Sequence, residues 1–411
     1  MSGADTQGLQ SFPEALAGRD AWLEPFDWYR RMRADEPVRY DSNRSCWDVF
    51  RYADVKRVLD DDETFSVEPG IASDFVEPDD FGEGLMLETM ILRDPPRHDE
   101  IRAVVEDEFS PRTLRDREPR IREITRDLLE TAVTEGNGRM DVVGDLAYPL
   151  PVIVIAEMLG VPPERRDQFK EWSDAIVAST GADDSSEAVA DAQSQSLQEM
   201  GMYFVQLLEE RRDDPRDDLV STMVSAEAGA DAHLSQEEAL GMCVLLLIAG
   251  NITTTNFLAN AVRCLANHDL FDAVADGEYA VPAVLEEVLR YRSPVQAMSR
   301  IATREVTLQE ETIGEGDRVV VWLGSANRDD RQFDDADTFV PDRSPTQHLA
   351  FGHGTHYCLG APLARLEARV ALEELLDGVS ELSLVDTPLQ PTRSSFVYGV
   401  ESLPIEYELA E

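Results

Sequence analysis

The sequence predicts a mainly α-helical protein with a minor β component. Three observations lead to this prediction. Apolar residues recur at helical spacing over most of residues 97–290, the uncharged segment 241–262 indicates one long central helix, and strand-like alternation is concentrated towards the C-terminus. The chain has 411 residues, of which 43% are hydrophobic, so it is globular and can bury a large core. Its length alone allows one large domain or several smaller ones.

The elements follow one another in a simple order. Residues 20–65 alternate between strand-like and helical pieces, and residues 66–90, rich in Gly, Pro and Asp, predict a long ordered loop. A proline pair, Pro162–Pro163, interrupts the helical range. Helix-rich parts are expected at about 97–290 and 361–377, and strand-rich parts at about 35–50, 301–323 and 380–410.

The central helix has a clear start. Ser235 and Glu238 have the spacing of a capping box, and a helix from there to about residue 267 would be roughly 45–50 Å long. The uncharged segment could imitate a membrane span. Its centre, however, holds polar side chains that are unfavourable in lipid, namely Asn251, Thr253, Thr254, Thr255, Asn256 and Asn260. We therefore expect a core helix of a soluble protein and no membrane anchor.

The charge composition argues against some partners. The formal net charge is −45 and the sequence pI about 4.3, which disfavours nucleic acid and anionic membrane surfaces. Two of the 37 basic residues are lysines, Lys56 and Lys170, and the other 35 are arginines. An acidic, lysine-poor surface is typical of proteins that work in molar salt, which screens repulsion between like charges. Ordinary acidic bias is the alternative; we predict a halophilic archaeal source.

The cysteines and the N-terminus indicate the compartment. Cys46, Cys243, Cys264 and Cys358 lie far apart and include no CxxC pair, so neither a disulfide framework nor a four-cysteine zinc site is expected. Residues 1–18 lack the basic start and apolar core of a signal peptide. We expect a cytoplasmic protein.

The stretch QHLAFGHGTHYCLGAP, residues 347–362, concentrates candidate metal ligands: His348, His353, His356 and Cys358. Several of them could converge on zinc. Alternatively, Cys358 acts alone, because Pro362 marks the first turn of a helix whose N-terminus would stabilise a thiolate. The nearby glycines, Gly352, Gly354 and Gly360, let the backbone approach a large flat group. The local pattern does not decide between the two.

The spacing Phe351-x-x-Gly354-x-x-x-Cys358-x-Gly360 resembles the haem-binding signature of the cytochrome P-450 family. Four further stretches match the family pattern in order, so the resemblance covers nearly the whole chain. It implies one P-450 domain over residues 1–411, mainly α with a minor β part, and a long central helix over haem b. The resemblance also implies that Cys358 is the proximal iron ligand. An anionic sulfur in this position favours O–O cleavage.

The resemblance also implies the haem contacts. In DPPRHDEIR, residues 94–102, His98 and Arg102 share one helix face and would donate to haem propionates, together with Arg300 and His356; a surface polar pair is the alternative. His353 would be structural. The full predicted cofactor set is Cys358, His98, Arg102, Ala249, Gly250, Thr253, Val295, Arg300, Phe351, Gly352, His356, Gly360 and Ala364.

The central helix contains AGNITT, residues 249–254, which matches the family's oxygen-binding kink. Ala249 and Gly250 would let the helix pass close over the haem. Threonine hydroxyls can bond a backbone carbonyl, open the helix locally and hold water, so Thr253, Thr254 and Asn251 are the predicted catalytic residues. The position before Thr253 usually carries an acid in this family, whereas this chain has Ile252, which cannot carry protons.

Three further residues are predicted to be structural. EEVLR places Glu287 and Arg290 at i, i+3 spacing, which alone is a weak surface pair. The family fixes the core beneath the haem with such a pair and a downstream arginine, here Arg343 in FVPDR.

The predicted function is a three-component monooxygenase that inserts one oxygen atom from O2 into a mainly apolar organic substrate. Electrons would come from a separate ferredoxin and ferredoxin reductase. Substrate contacts are expected at 66–90, 165–190, 295–298 and 396–397. A peroxide-driven or rearranging enzyme and a non-catalytic haem sensor are the alternatives. A docking face is predicted on the arginines Arg112, Arg115, Arg117, Arg120, Arg122, Arg126, Arg365 and Arg369, unless these pair with neighbouring acids.

Overall fold

A computed structural model describes residues 12–75, 81–165, 168–169, 171–172, 187–227, 234–344, 346–392 and 394–410. Most of the predicted substrate segment 165–190, and residues 76–80 of the predicted loop, lie outside these ranges.

Helices form most of the described chain. In order they are α1 Arg19–Leu23, α2 Phe26–Asp35, α3 Tyr52–Asp60, α4 Phe81–Leu87, α5 Arg97–Val105, α6 Pro111–Gly136, α7 Pro149–Met158, α8 Glu187–Asp213, α9 Leu219–Glu227, α10 Gln236–Asn267, α11 Phe271–Ala275, α12 Val281–Tyr291, α13 Leu323–Ala326 and α14 Ala361–Gly378. A π-helix spans Val142–Ala147, and 3-10 turns lie at Glu14–Leu16, Pro69–Ile71, Met90–Leu92, Glu106–Phe109 and Pro163–Arg165.

The strands form three small sheets. They are β1 Val38–Asp41, β2 Cys46–Val49, β3 Phe65–Ser66, β4 Arg139–Asp141, β5 Ala297–Ala302, β6 Val306–Leu308, β7 Glu311–Ile313, β8 Arg318–Trp322, β9 Val379–Leu384 and β10 Pro404–Leu409. The largest sheet has the order β1-β2-β8-β5-β3, in which β2 runs parallel to β8, and the others have the orders β4-β10-β9 and β6-β7. The first sheet therefore joins strands near the N-terminus to the strands at 297–322.

The predicted loop at 66–90 is only partly a loop, because it contains α4 and a 3-10 turn. The amino-acid composition of this segment disfavours a helix, but packing against the rest of the protein stabilises one. A Cβ added at Gly241 of α10 would lie 3.0 Å from the carbonyl oxygen of Leu85. Glycine at this position thus allows the backbones of α4 and α10 to approach closely.

The central helix α10 has the predicted boundaries. The Ser235 hydroxyl accepts the Glu238 N–H at 3.1 Å, and the Glu238 carboxylate accepts the Ser235 N–H at 2.7 Å, which completes the capping box. Within the described part of the chain, α10 is the one helix long and apolar enough to cross a membrane. Of its apolar window, 72% is buried inside the protein, as in the core helix of a globular protein.

Candidate functional site

The loop before α14 is folded tightly around Cys358. Gly352 and Gly354 have φ angles of +75° and +72°, and a Cβ at Gly354 would lie 2.8 Å from the Leu59 carbonyl oxygen. Only glycine fits both requirements there. The Cys358 N–H donates to the Phe351 carbonyl at 2.9 Å, so the two ends of the motif are hydrogen-bonded to each other.

Burial dominates the ionisation of Cys358. It raises the pKa of the thiol, while N–H groups of Gly360 and Ala361 and the charges of Arg102 and Arg365 act in the opposite direction. The N–H groups at the start of α14 thus act in the direction that the sequence predicts, whereas desolvation acts against the anion. A coordinated metal ion deprotonates a thiol directly, and the inward N–H groups suit the resulting anion.

The histidines of the loop do not form a zinc site with Cys358. The His348 ring contacts the Glu286 carboxylate at 3.2 Å, His353 faces Asp60 at 3.6 Å, and His356 packs against His98. Among the described residues, no group of three or more His, Cys, Asp or Glu side chains converges as metal ligands do. The loop thus presents Cys358 separately from its histidines.

Four predicted haem-contacting residues come together from distant parts of the chain. The rings of His98, on α5, and His356 lie 4.3 Å apart. Burial lowers the pKa of His356 to about 3, and the nearby charges of His98, Arg300 and Arg102 act in the same direction. Each of these three side chains lies close enough to His356 to act on its charge, so the four residues form one wall.

The donors on this wall fit an anionic cofactor. The Nε2 atom of His356 is buried and has no hydrogen-bond partner among the described residues. Arg300 is buried on β5 and donates to the Ser299 carbonyl at 2.8 Å; burial lowers the pKa of its guanidinium to about 10. Arg102 donates to the Tyr357 carbonyl at 2.8 Å. The buried Arg300, the half-buried Arg102 and the unpartnered ring nitrogen of His356 are donors that match the carboxylates of haem propionates.

One short segment of α10 borders open space. The helix is buried from Glu238 to Leu247, but Ala249 is exposed and Ile248, Gly250, Ile252 and Thr253 are half-buried. A Cβ at Gly250 would meet no atom within 4 Å. This segment therefore borders free space on one side of the core helix, here called the void, as a wall of a cofactor or substrate site would.

The threonines of this segment face different ways. The Thr253 hydroxyl donates to the Ala249 carbonyl at 2.8 Å on the open side. Asn251 and Thr254 are buried, and Thr255 donates to the Asn251 carbonyl at 3.0 Å. The structure thus brings Thr253, but not Asn251 or Thr254, to the void. The predicted local opening of the helix is also absent from this described stretch, where α10 is helical throughout. A threonine hydroxyl can bond the carbonyl of the preceding turn without breaking the helix.

The remaining predicted contacts lie around the same region. Val295 forms an isolated β-bridge with Val397, which joins two of the predicted substrate segments. Ala364 lies in the first turn of α14, and its N–H donates to the Gly360 carbonyl at 2.9 Å. Both residues are half-buried.

The three predicted structural residues form one buried cluster. Both Glu287 and Arg290 are fully buried and pair at 2.7 Å. The Glu287 carboxylate also accepts from the Arg343 guanidinium at 3.1 Å and from the Val340 N–H at 2.8 Å. The cluster ties α12 to the loop that precedes the cysteine motif.

A second acidic residue, Glu286, lies beside this cluster and was not among the predicted site residues. Its carboxylate accepts two hydrogen bonds from Arg365, at 2.6 and 3.0 Å, and one from His348. Burial acts to raise the pKa of Glu286, but the bonds from His348 and Arg365 hold it at about 2. The only sequence signal was the position of both partners in or beside the cysteine motif.

Most of the predicted docking arginines are paired. Among the described residues, ion pairs join Arg117 to Glu108, Arg120 to Glu157, Arg122 and Arg126 to Glu374, Arg365 to Glu286 and Arg369 to Glu118. Arg112 and Arg115 are exposed and form no ion pair with the described part of the chain. Arg115 lines a groove of about 350 Å³ between α6, α12 and α14.

Comparison with known proteins identifies the family. The protein-family model described as Cytochrome P450 matches residues 279–401 of this chain. Cytochrome P450 109 of Bacillus spizizenii is 42% identical over 95% of this chain and 94% of its own. The erythromycin C-12 hydroxylase of Saccharopolyspora erythraea is 42% identical over 92% and 93%. The crystal structure of CYP109E1 from Bacillus megaterium with testosterone superposes with a TM-score of 0.85 at 40% identity, covering 95% and 99%.

These similarities extend over almost the full length of both partners, so they concern the whole fold rather than one motif. They confirm the predicted fold class, a mainly helical single P450 domain with a minor sheet part. They do not support the predicted halophilic archaeal source, which rests on composition alone. The chain belongs to the cytochrome P450 family of haem b-containing monooxygenases.

Proposed function

We propose that this P450 holds haem b through Cys358 and oxidises a mainly apolar organic molecule with O2. The observation that carries the proposal is the tight loop around Cys358 together with the nearby wall of His98, Arg102, Arg300 and His356. When bound, the haem supplies the iron at which O2 is activated. His98, Arg102, Arg300 and His356 would hold its propionates by charge-assisted hydrogen bonds.

Thr253 is the proposed proton-handling residue. Its hydroxyl lies on the open side of α10, where it donates to the Ala249 carbonyl at 2.8 Å. A hydroxyl held in this way keeps its oxygen lone pairs free to accept a hydrogen bond from water and pass a proton on. Asn251 and Thr254 would act at most indirectly, because both are buried away from the void.

Ile252 favours a second candidate, a peroxide-driven or rearranging reaction. Its apolar side chain lies half-buried on the open segment of α10, where the family usually has an acid. A reaction that starts from peroxide needs fewer protons delivered through this helix. Turnover with hydrogen peroxide, compared with turnover supported by a ferredoxin and its reductase, separates the two candidates.

The proposed substrate is a large apolar molecule. The segments at 295–298 and 396–397 meet at the Val295–Val397 bridge, and Ile248 on α10 adds an apolar surface. Relatives bind or hydroxylate molecules of this kind: CYP109E1 was crystallised with testosterone and with corticosterone, and another relative is an erythromycin hydroxylase. A compound of steroid to macrolide size is the first class to screen.

The proposed electron donor is a small acidic ferredoxin with its reductase. Arg112 and Arg115 are exposed and free of ion pairs with described residues, while the other arginines of the predicted face are neutralised. These two arginines would attract an acidic partner to the side of the molecule that carries the start of α14.

We also propose a cytoplasmic protein that works at high salt. The net charge of −45 and the near absence of lysine support this, because concentrated salt screens the repulsion that such a surface creates. A halophilic archaeal source would account for this composition.

The first test is the spectrum of the purified, reduced protein with carbon monoxide in concentrated salt. A Soret band far to the red of that of a histidine-ligated haem supports thiolate ligation, and Cys358→Ser should abolish it. A histidine-like band in the unaltered protein would contradict Cys358 as the working ligand, and protein containing zinc instead of haem would overturn the proposal altogether.

A further inference from the structure

Glu286 connects α12, α14 and the cysteine loop. Its two carboxylate oxygens accept from Nε and Nη2 of Arg365 at 2.6 and 3.0 Å, a two-point contact between planar groups. The His348 ring, whose side chain is 3% exposed, adds a third contact at 3.2 Å. The Glu286 carboxylate on α12 therefore fixes the side chains of both Arg365 and His348.

Arg365 extends from this contact to the cysteine loop. Its guanidinium carbon lies 4.5 Å from the centre of the Phe351 ring, and its Nη1 donates to the Tyr357 hydroxyl at 3.2 Å. The carbonyl of Phe351 accepts the Cys358 N–H at 2.9 Å. Arg365 thus holds both the residue that bonds the cysteine backbone and the residue that precedes the cysteine.

Arg365 also places a positive charge close to Cys358. Its guanidinium contacts Phe351, whose carbonyl bonds the cysteine N–H, and Tyr357, which precedes the cysteine. Because Glu286 lies against the same guanidinium, the field at Cys358 is that of a nearly neutral pair. Removing either member would leave one unbalanced charge near the sulfur, in a site of low dielectric.

We infer that Glu286 is a positioning residue that fixes Arg365 over Phe351 and balances its charge next to the Cys358 sulfur, and so sets the reduction potential of the iron. This inference rests on the proposed ligation by Cys358. Hydrogen bonding and net charge near the axial ligand are general determinants of haem potentials. The adjacent Glu287 faces the opposite way and bonds Arg343 and Val340, so neighbouring acids on α12 have separate tasks.

The chain supplies a matched control in Glu118. This residue on α6 also pairs with an arginine of α14, Arg369, at 2.6 Å. In the described structure, the other side-chain bonds of Arg369 go to Glu373, not to the cysteine loop. Loss of either carboxylate should lower stability, but only loss of Glu286 should be sensed by the haem.

The test is a spectroelectrochemical titration of the haem-loaded variants Glu286→Gln, Arg365→Gln and Glu118→Gln. Glu286→Gln leaves a positive charge, which favours the reduced state, so the midpoint potential should shift to more positive values. Arg365→Gln leaves a negative charge and should shift the potential to more negative values. Glu118→Gln should leave it unchanged, although its melting temperature falls.

Opposite shifts in the two variants would support the inference, and a purely structural role does not produce them. No shift in the midpoint potential, or shifts of the same sign, would overturn it. If Glu286→Gln does not fold, the comparison of Arg365→Gln with Glu118→Gln still decides, by the sign of the shift in Arg365→Gln. The carbon monoxide spectrum of the unaltered protein tests Cys358 separately. A red-shifted band with unchanged potentials in the variants therefore refutes the role of Glu286 alone.

Discussion

The imidazole rings of His98 and His356 pack 4.3 Å apart, with their planes inclined by 56°. Because burial lowers the pKa of His356 to about 3, its ring is neutral near pH 7 and does not repel its neighbours. One ring nitrogen of His356 remains buried without a partner among the described residues. A buried polar atom of this kind destabilises the fold unless something bonds to it, and a haem propionate would do so.

Arg300 should contribute to haem retention in the same way. Arg300→Met removes a buried guanidinium whose side-chain bond in the described structure goes to the Ser299 carbonyl. A charge-assisted bond contributes about 1.5–3 kcal/mol, so we expect haem to leave roughly 10 to 100 times faster. The measurement is haem transfer to apomyoglobin.

His353→Ala is the control for Arg300→Met. His353 lies in the cysteine loop but faces Asp60 at 3.6 Å and is 36% exposed at its side chain. Its removal should leave haem transfer nearly unchanged. Equal transfer rates for Arg300→Met and the unaltered protein would show that Arg300 does not hold the cofactor.

Thr253 and Thr255 make the same type of bond on different sides of α10. Thr253→Ala should lower the share of electrons that end in product by about tenfold or more, since a positioned proton donor contributes at least that much. Thr255→Ala removes a buried bond to the Asn251 carbonyl, so it should reduce stability by about 1 kcal/mol and leave coupling intact.

Product formed, reduced nicotinamide consumed and hydrogen peroxide released are measured together for both threonine variants. The substrate is any compound that shifts the spin state. Equal loss of coupling in both variants would mean that Thr253 acts through helix stability and not through proton transfer.

Local patterns predicted the helices that carry the site. The capping box fixed the start of α10, Pro362 marked the first turn of α14, and the i, i+4 spacing placed His98 and Arg102 on α5. These features depend on residues within one or two turns of each other, and the sequence contains that information directly.

Contacts between distant segments were not predictable in this way. Nothing in the local sequence pairs β2 with β8 in parallel, directs Glu286 to Arg365, or turns Asn251 away from the void beside Thr253. The raised pKa of Cys358 was missed for the same reason. Desolvation depends on how many elements pack around a group, whereas the helix N-terminus is visible in the sequence.

Glu367 should make stability depend on pH. It lies in α14, is 2% exposed, and burial raises its pKa from 4.5 to about 8. Between these values the folded state keeps a proton that the unfolded state has lost. The stabilising contribution of the protonated Glu367 carboxyl to the free energy of unfolding is therefore complete below about pH 4.5. It is lost as pH rises towards 8, with a slope of up to about 1.4 kcal/mol per pH unit.

Glu367→Gln removes this titration. We expect the variant to become more stable relative to the unaltered protein as pH rises from 5 to about 8, measured by denaturant unfolding at constant high salt. Glu123→Gln, at a carboxylate whose side chain is 62% exposed, should not change the slope. Parallel stability curves for the Glu367 variant and the unaltered protein would show that the Glu367 carboxyl does not keep its proton in the folded state.

Arg112 and Arg115 should control the rate of reduction. Both are exposed residues in the first turns of α6, and reversing both charges would repel an acidic ferredoxin. We expect Arg112→Glu/Arg115→Glu to slow reduction by roughly tenfold or more at low ionic strength, because steering changes association rates by at least that factor. The difference should shrink as salt is raised, since the Debye length falls to about 3 Å at 1 M.

The haem spectrum of the double variant should be normal, because neither arginine bonds the cysteine loop in the described structure. Arg31→Glu, at an exposed arginine on α2, changes net charge without changing this face and should reduce at the unaltered rate. Stopped-flow reduction across a salt series distinguishes the cases. Equal slowing by Arg31→Glu would indicate a general effect of net charge, and unchanged rates at every salt concentration would place the ferredoxin elsewhere on the surface.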